Sequence, residues 1–259
     1  MKKSAVFTIV KNEWYFLQKW VEHYKKYFPD EDIYILDHQT TDGSTDNLDV
    51  NVIKVINDAT FDANWLRDTV QNFQTKLLED YECVLFAEVD EIVYSIERPL
   101  NEFIDEFIKS NDSYVTCFSH EIMENFAENE EPVNLKNEKI IDKRNWWCKQ
   151  VIYKNLYDKT LLSKIPLIYD IGFHDVFNGE RNYVDDFFMV HLHRFDVNYM
   201  LKRGIEKSKW TRLPGAGVFP HTREEIIYTW FPTVPGGQFV LHTPLTKIDE
   251  RHKQVLSHI

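Results

Sequence analysis

The first 110 residues switch between two hydrophobic rhythms. Ser4 to Val10 is a continuous apolar run rich in β-branched residues, the pattern of a strand buried on both faces. Trp14, Leu17, Val21, Tyr24 and Phe28 then recur at helical spacing, with Asn12 placed to cap the helix and Pro29 to stop it. Ile33 to Leu36 predicts a second strand, running into a loop-forming stretch from Asp37 to Ser44. Val52 to Ile56 predicts a third, and Leu66, Val70, Phe73, Leu77 and Leu78 mark one side of a long helix. Cys83 to Ala87 is the next apolar run, and Pro99 opens a helix carrying Leu100, Phe103, Ile104 and Phe107 inward. Strands alternating with helices predict an α/β fold: a Rossmann-like, mainly parallel sheet with helices on both faces.

Beyond Ser113 the rhythm loosens. Tyr114 to Phe118 and Gln150 to Tyr153 read as strands, and the polar stretch Glu128 to Asp142 between them as a surface excursion. Asp196 to Trp210 reads as a helix with an Asp cap. Pro214-Gly215-Ala216-Gly217 and Pro235-Gly236-Gly237 read as loops. Without repeats or a domain-sized linker, the 259 residues predict a single domain.

Composition narrows the function classes. Apolar residues make up 43% and charged residues 28%, which is globular rather than disordered. The net charge of −12 opposes general binding to nucleic acid or an anionic lipid surface. An anionic small molecule remains compatible if a cation and a few basic side chains reverse the local field. Cys83, Cys117 and Cys148 are scattered and form no Cys-x-x-Cys pair, so a reducing, cytoplasmic setting is expected, with peripheral contact at a membrane left open. The apolar run Ala5 to Val10 is too short for a signal peptide, and no stretch reaches transmembrane length. Neither Gly-x-Gly-x-x-Gly nor a P-loop ending is present, so a diphosphate must be held by something other than a glycine cradle.

The most informative stretch is Glu88-Val89-Asp90-Glu91 after the fourth strand. Acids at i and i+2 on an extended segment share a side, and at the carboxyl end of a parallel strand they face the ligand crevice of open α/β sheets. So many carboxylates repel unless something positive shares them. Mg2+ or Mn2+, with substrate phosphates completing the shell, is the natural candidate.

These pieces together resemble the family-2-like glycosyltransferases with the A-type, nucleotide-diphospho-sugar transferase fold. Lys11-Asn12-Glu13 with Trp20-x-x-His23-Tyr24 resembles their opening; Asp37 with Thr41-Asp42-Gly43-Ser44 resembles their second-strand loop. Glu88-Val89-Asp90-Glu91 stands at their Asp-x-Asp-Glu metal motif, and Val190-His191-Leu192-His193 with a following helix bearing Lys202 resembles their later His segment. The chain departs from the pattern at Glu88, where Asp is usual, and in His38-Gln39-Thr40, which lacks the usual acid after Asp37. The resemblance implies a nucleotide-binding half over 1–112 and an acceptor-side half over 113–259. It implies sugar transfer from a nucleotide diphosphate donor, a UDP-sugar first, to a hydroxyl of a glycan, lipid-linked or protein acceptor, with inversion. It also implies that Asp37 contacts the base or ribose, with the backbone after Val10 nearby, and that Asp90 holds the ion.

The remaining candidates follow from residue chemistry. His191 and His193, at i and i+2, can both reach a metal beside Glu88 and Asp90. Asn12, Glu13, Thr41 and Asp42 stand on the donor-side loops, Arg67 can approach the donor phosphates, and Lys202, Arg203 and Lys207 on the following helix can neutralise the leaving diphosphate. For a catalytic base the candidates are Asp175, then His174, then Glu91. Trp65 and Trp146-Trp147 are candidates for stacking on a sugar, against the alternative of core packing. Rival readings are a nucleotidyltransferase, which normally needs a glycine-rich loop where Lys11-Asn12-Glu13 stands, and a metal-dependent phosphoester hydrolase built from Asp90, His174, Asp175, His191 and His193. A third is an inactive sugar-binding module.

Overall fold

The computed structural model describes residues 1–57, 62–125, 128, 130–149, 151–152, 155–210, 221–230 and 245–259. The expected loops Leu213–Val218 and Thr233–Phe239 lie outside the described residues, as do Gln150 and Tyr153 of the strand expected there. The chain folds as an α/β domain around a ten-stranded mixed sheet.

The front half alternates as its apolar rhythm requires: β1 (Lys2–Val10), α1 (Trp14–Tyr24), β2 (Ile33–Asp37), β3 (Asn51–Lys54), α2 (Ala63–Leu77) and β4 (Tyr81–Phe86). β4-β1-β2-β3 is the local strand order, with every pairing parallel. The chain leaves β1 toward β2 but returns from β3 to β4 on the other side of β1. Right-handed crossovers therefore put α1 and α2 on opposite faces and open a switch point between β1 and β4. Register aligns the strand ends, with Val10 opposite Asp37 and Phe7 opposite Phe86.

The back half is mainly antiparallel, which its looser pattern did not reveal. It comprises β5 (Glu91–Tyr94), α3 (Leu100–Lys109), β6 (Tyr114–Met123), α4 (Ile140–Lys143), β7 (Trp146–Lys149), the separate hairpin β8 (Val151–Ile152) and β9 (Asn155–Leu156), and β10 (Thr160–Ser163). β11 (Tyr183–Arg194), α5 (Val197–Ser208), α6 (Arg223–Trp230), β12 (Thr246–Lys247) and α7 (Glu250–Val255) complete it. β11 pairs parallel with β6 and antiparallel with β5, setting His191 opposite both Glu121 and Glu91. The main core joins β1, β4 and β11 to α1 and α3; Trp20, Phe16, Phe86 and Phe187 are fully buried, each stabilising by about 1.5–3 kcal/mol. A smaller cluster of Met123, Cys148, Val197, Met200 and Ile226 seats α5 on the sheet.

Local chemistry moves two expected boundaries. α1 ends at Tyr24, short of Pro29, and is not capped by Asn12. Asn12 has φ +54° and accepts the Thr41 amide at 2.7 Å, stitching the β1 loop to the β2 loop. Asp42 of that second loop accepts the Trp14 amide at 3.2 Å and so serves the helix start instead. α5 starts as expected, with Asp196 accepting the amides of Asn198 and Tyr199 at 2.8 and 2.9 Å. Trp147 is buried with its ring 4.0 Å from that of His120, a packing role rather than a stacking platform.

Candidate metal and diphosphate site

A cavity of about 300 Å3 opens at the switch point. Ile9, Val10 and Lys11 line it from the end of β1, and Glu88, Val89 and Asp90 from the turn after β4. His191 and His193 come from β11, and Met200, Arg203, Gly204 and Lys207 from one face of α5.

The acids after β4 sit in a turn, closed by the Glu91 amide donating to the Glu88 carbonyl at 2.9 Å, rather than on an extended segment. The shared side expected from strand alternation therefore does not hold, and the three part company. Glu88 turns to Lys159, whose Nζ lies 2.5 Å from it and also 2.5 Å from Glu91. Lys159 and Glu91 are wholly buried; burial opposes the lysine's charge, yet the two glutamates hold it well above the usual lysine range. Glu91 spends its other oxygen on the Glu88 amide at 3.0 Å. Asp90 alone of the three meets the histidines: Oδ1 is 3.7 Å from His191 Nε2, and Oδ2 is 3.7 Å from His193 Nδ1.

Asp90, His191 and His193 can each offer one ligand atom, all within 4.8 Å of one another. Behind them, Glu121 accepts from His191 Nδ1 at 2.9 Å and is itself fully buried. This carboxylate–histidine relay fixes the ring and leaves Nε2 aimed at Asp90, the arrangement that supports metal-ligating histidines. Burial works against a charge on His191, but Glu121 and Asp90 outweigh it and raise its pKa to about 10. An ion would take the place of that proton. Burial and the nearby cations push His193 down to about 3, which keeps it neutral. Although burial also works against the Asp90 charge, Arg203 and His191 hold its carboxyl well below the ordinary range. Two nitrogens and a carboxylate oxygen suit a borderline or hard divalent ion with positions left for ligand oxygens.

The basic wall comes from α5. Arg203 Nη1 donates to Asp90 Oδ2 at 3.0 Å, and Lys207 Nζ lies 3.6 Å from Glu13. Lys202, expected beside Lys207, is exposed and does not line the cavity: it is out of phase with the face carrying Met200, Arg203, Gly204 and Lys207.

The other expected residues are distributed as follows. Val10 and Glu13 line the cavity. Asp37 is buried and accepts the Thr40 amide at 2.8 Å and the Thr45 hydroxyl at 3.2 Å, so it shapes the β2 loop from within. Thr41 and Asp42 are exposed on that loop, and exposed Asp68 engages Arg67 at 2.7 Å. His174 packs behind Tyr157, the ring centres 3.9 Å apart, and burial with Lys159 lowers its pKa to about 2. Asp175 pairs with Arg181 at 2.9 Å in a separate surface hollow. Neither is among the residues of the central cavity, so the five-residue hydrolase centre considered from the sequence is not assembled.

Of the three helix cations expected at the diphosphate, Arg203 and Lys207 are four apart, share a helical face and line the cavity. Lys159 and Glu121 are the groups that the sequence did not single out, because their partners lie about 70 residues away. On the far wall, His38 is tilted against Trp65 with ring centres 4.6 Å apart, and Lys11 donates to the His38 carbonyl at 3.0 Å. Among the described residues no helix is long and apolar enough to cross a membrane.

No protein-family model matches the sequence, and no curated protein matches it. Similar solved structures include galactosyltransferase LgtC in complex with donor and acceptor sugar analogues, at 15% identity over 62% of this chain, with a TM-score of 0.30. They also include mannose-1-phosphate geranyltransferase from Thermus thermophilus, at 8% identity over 80% of this chain, with a TM-score of 0.34. The chain spans 57% and 61% of the lengths of these two proteins.

Proposed function

We propose that this chain is a divalent-metal-dependent glycosyltransferase acting on a nucleotide diphosphate sugar, with a UDP-sugar as the first donor to test. The observation that carries the reading is the meeting of Asp90, His191 and His193 beside Arg203 and Lys207, at the switch point of an α/β sheet. A cation cluster facing a basic helix serves a diphosphate, since neither alone neutralises it in an otherwise acidic protein.

Asp90, His191 and His193 would hold the ion, with Glu121 fixing His191. Bound there, Mn2+ or Mg2+ supplies charge stabilisation to the leaving diphosphate. Arg203 and Lys207 would donate to the same phosphates from the face of α5 beside the cluster, where partial exclusion of water strengthens each contact. Lys11, His38 and Trp65 stand on the side where the β1 and β2 loops would receive the nucleoside. Glu13 is engaged by Arg203, Glu88 by Lys159, and Asp62 by the amides that start α2. The cavity is thus provisioned for the leaving-group half of the reaction.

The test is release of nucleoside diphosphate from a panel of nucleotide sugars, with and without Mn2+. Release should require Mn2+ and fall about a hundredfold or more in Asp90→Asn, with the thermal transition of the apoprotein retained. Cleavage of a simple phosphoester, with no turnover of any nucleotide sugar, would favour the hydrolase instead.

A further inference from the structure

Arg203 occupies the place of the ion's charge. Its Nη1 donates to Asp90 Oδ2 at 3.0 Å and to His193 Nδ1 at 2.8 Å, two of the cluster's own donor groups. The rest of the guanidinium is anchored elsewhere. Nε and Nη2 donate to Glu13 Oε1 at 2.9 and 2.6 Å, and the guanidinium carbon lies 4.9 Å from the centre of the Phe16 ring. Only a tenth of the side chain is exposed.

Resting on the glycosyltransferase reading, we propose that Arg203 is an exchangeable counter-charge, which releases Asp90 and His193 when a divalent ion binds and turns toward the donor's diphosphate. A neutral imidazole has a single lone pair, on one ring nitrogen. If an ion takes His193 Nδ1, it takes the lone pair that now accepts from Arg203. If it takes Nε2, the ring proton moves to Nδ1 and opposes the Nη1 proton donor. Either way the contact of Arg203 with His193 is lost. An ion bound at about 2.1 Å to both Asp90 Oδ2 and His193 Nδ1 would also stand within roughly 3.3 Å of Nη1, a like-charge approach that favours departure.

The Glu13 contacts use none of the cluster's atoms, so they survive the exchange. The guanidinium can pivot on its Nε–Nη2 edge, keeping its place on the wall while Nη1 turns into the cavity beside Lys207. An anion there rewards the exchange, so ion and diphosphate each promote binding of the other. Arg203 is then a positioning residue for the ion and a contact for the donor.

Electron paramagnetic resonance titration of Mn2+ without nucleotide, on the whole chain and on Arg203→Gln, tests this. The variant should bind Mn2+ on the order of tenfold more tightly, and the enhancement of Mn2+ affinity by UDP should shrink by a similar factor. Equal or weaker Mn2+ binding by the variant overturns the proposal and leaves the ion site standing. Absence of Mn2+ binding in both proteins overturns the ion site and the proposal with it. Crystals of the unaltered protein with Mn2+ alone give a reading independent of the variant's folding. Nη1 should lie beyond hydrogen-bond reach of His193, and an ion on Asp90 and His193 with that bond intact contradicts the exchange.

Discussion

Lys159 shows how a single buried charge can organise a site from outside its cavity. With Glu88 and Glu91 both 2.5 Å from its Nζ, it engages two of the three acids after β4, so that of the three Asp90 alone faces the histidines. Lys159→Met would strand a buried carboxylate, and losing one member of such a group costs about 3–5 kcal/mol, reduced here because Glu88 is a third exposed. Urea denaturation should show that loss as a lower midpoint at neutral pH, with partial recovery in Lys159→Met/Glu91→Gln, because Glu91 is the carboxylate wholly buried. A midpoint equal to that of the unaltered protein would contradict the role assigned to the triad. Arg203 is the complementary case: on the proposed exchange it opposes binding of the ion alone, because it occupies what the ion needs, and favours binding of the donor.

At the scale of elements, the site depends on three strand ends and one helix face being brought to a common edge. The β1 and β2 loops are joined by Asn12 to Thr41 and by Asp42 to the start of α1. Asp42→Ala should therefore cost about 0.5–2 kcal/mol, the usual range for a lost helix cap, and weaken nucleotide binding by loosening the loop. Paired urea and UDP titrations measure both effects, and an unchanged midpoint would show that the Trp14 amide is served otherwise. What was legible in the sequence follows from the range of the interactions. The order β1, α1, β2, β3, α2, β4 was readable because each element is coded by its own periodicity, as was the Asp cap of α5. The pairing of β11 with β5 and β6 was not, because register across such separations leaves no local trace. The mutual approach of Asp90, His191 and His193 was anticipated from residue type. The diversion of Glu88 to Lys159 depended on a partner that nothing near Glu88 announces, and the burial of His174 behind Tyr157 was equally hidden.

For the whole molecule, many histidines are folded in their neutral form. Burial lowers His120 and His258 to about 4 and His23 well below its usual value; His252 adds to the effect at His120, and His258 adds to it at His23. These folded values lie below the unfolded value near 6.5, so the unfolded chain binds more protons as the pH falls. Their contribution to stability is complete above about pH 6.5 and is lost progressively as the pH drops through about 4. Melting temperatures of the apoprotein should therefore decline from pH 7 to pH 4.5, and less steeply in His258→Asn; a flat profile would contradict the buried neutral pairs. The proposed function requires one cavity to bind cation and diphosphate together. Isothermal titration of UDP into the protein with and without saturating Mn2+ addresses it most directly. Mn2+ should tighten UDP binding by about tenfold or more, and the gain should vanish in Asp90→Asn. Equal UDP affinity with and without Mn2+, across both proteins, would contradict it.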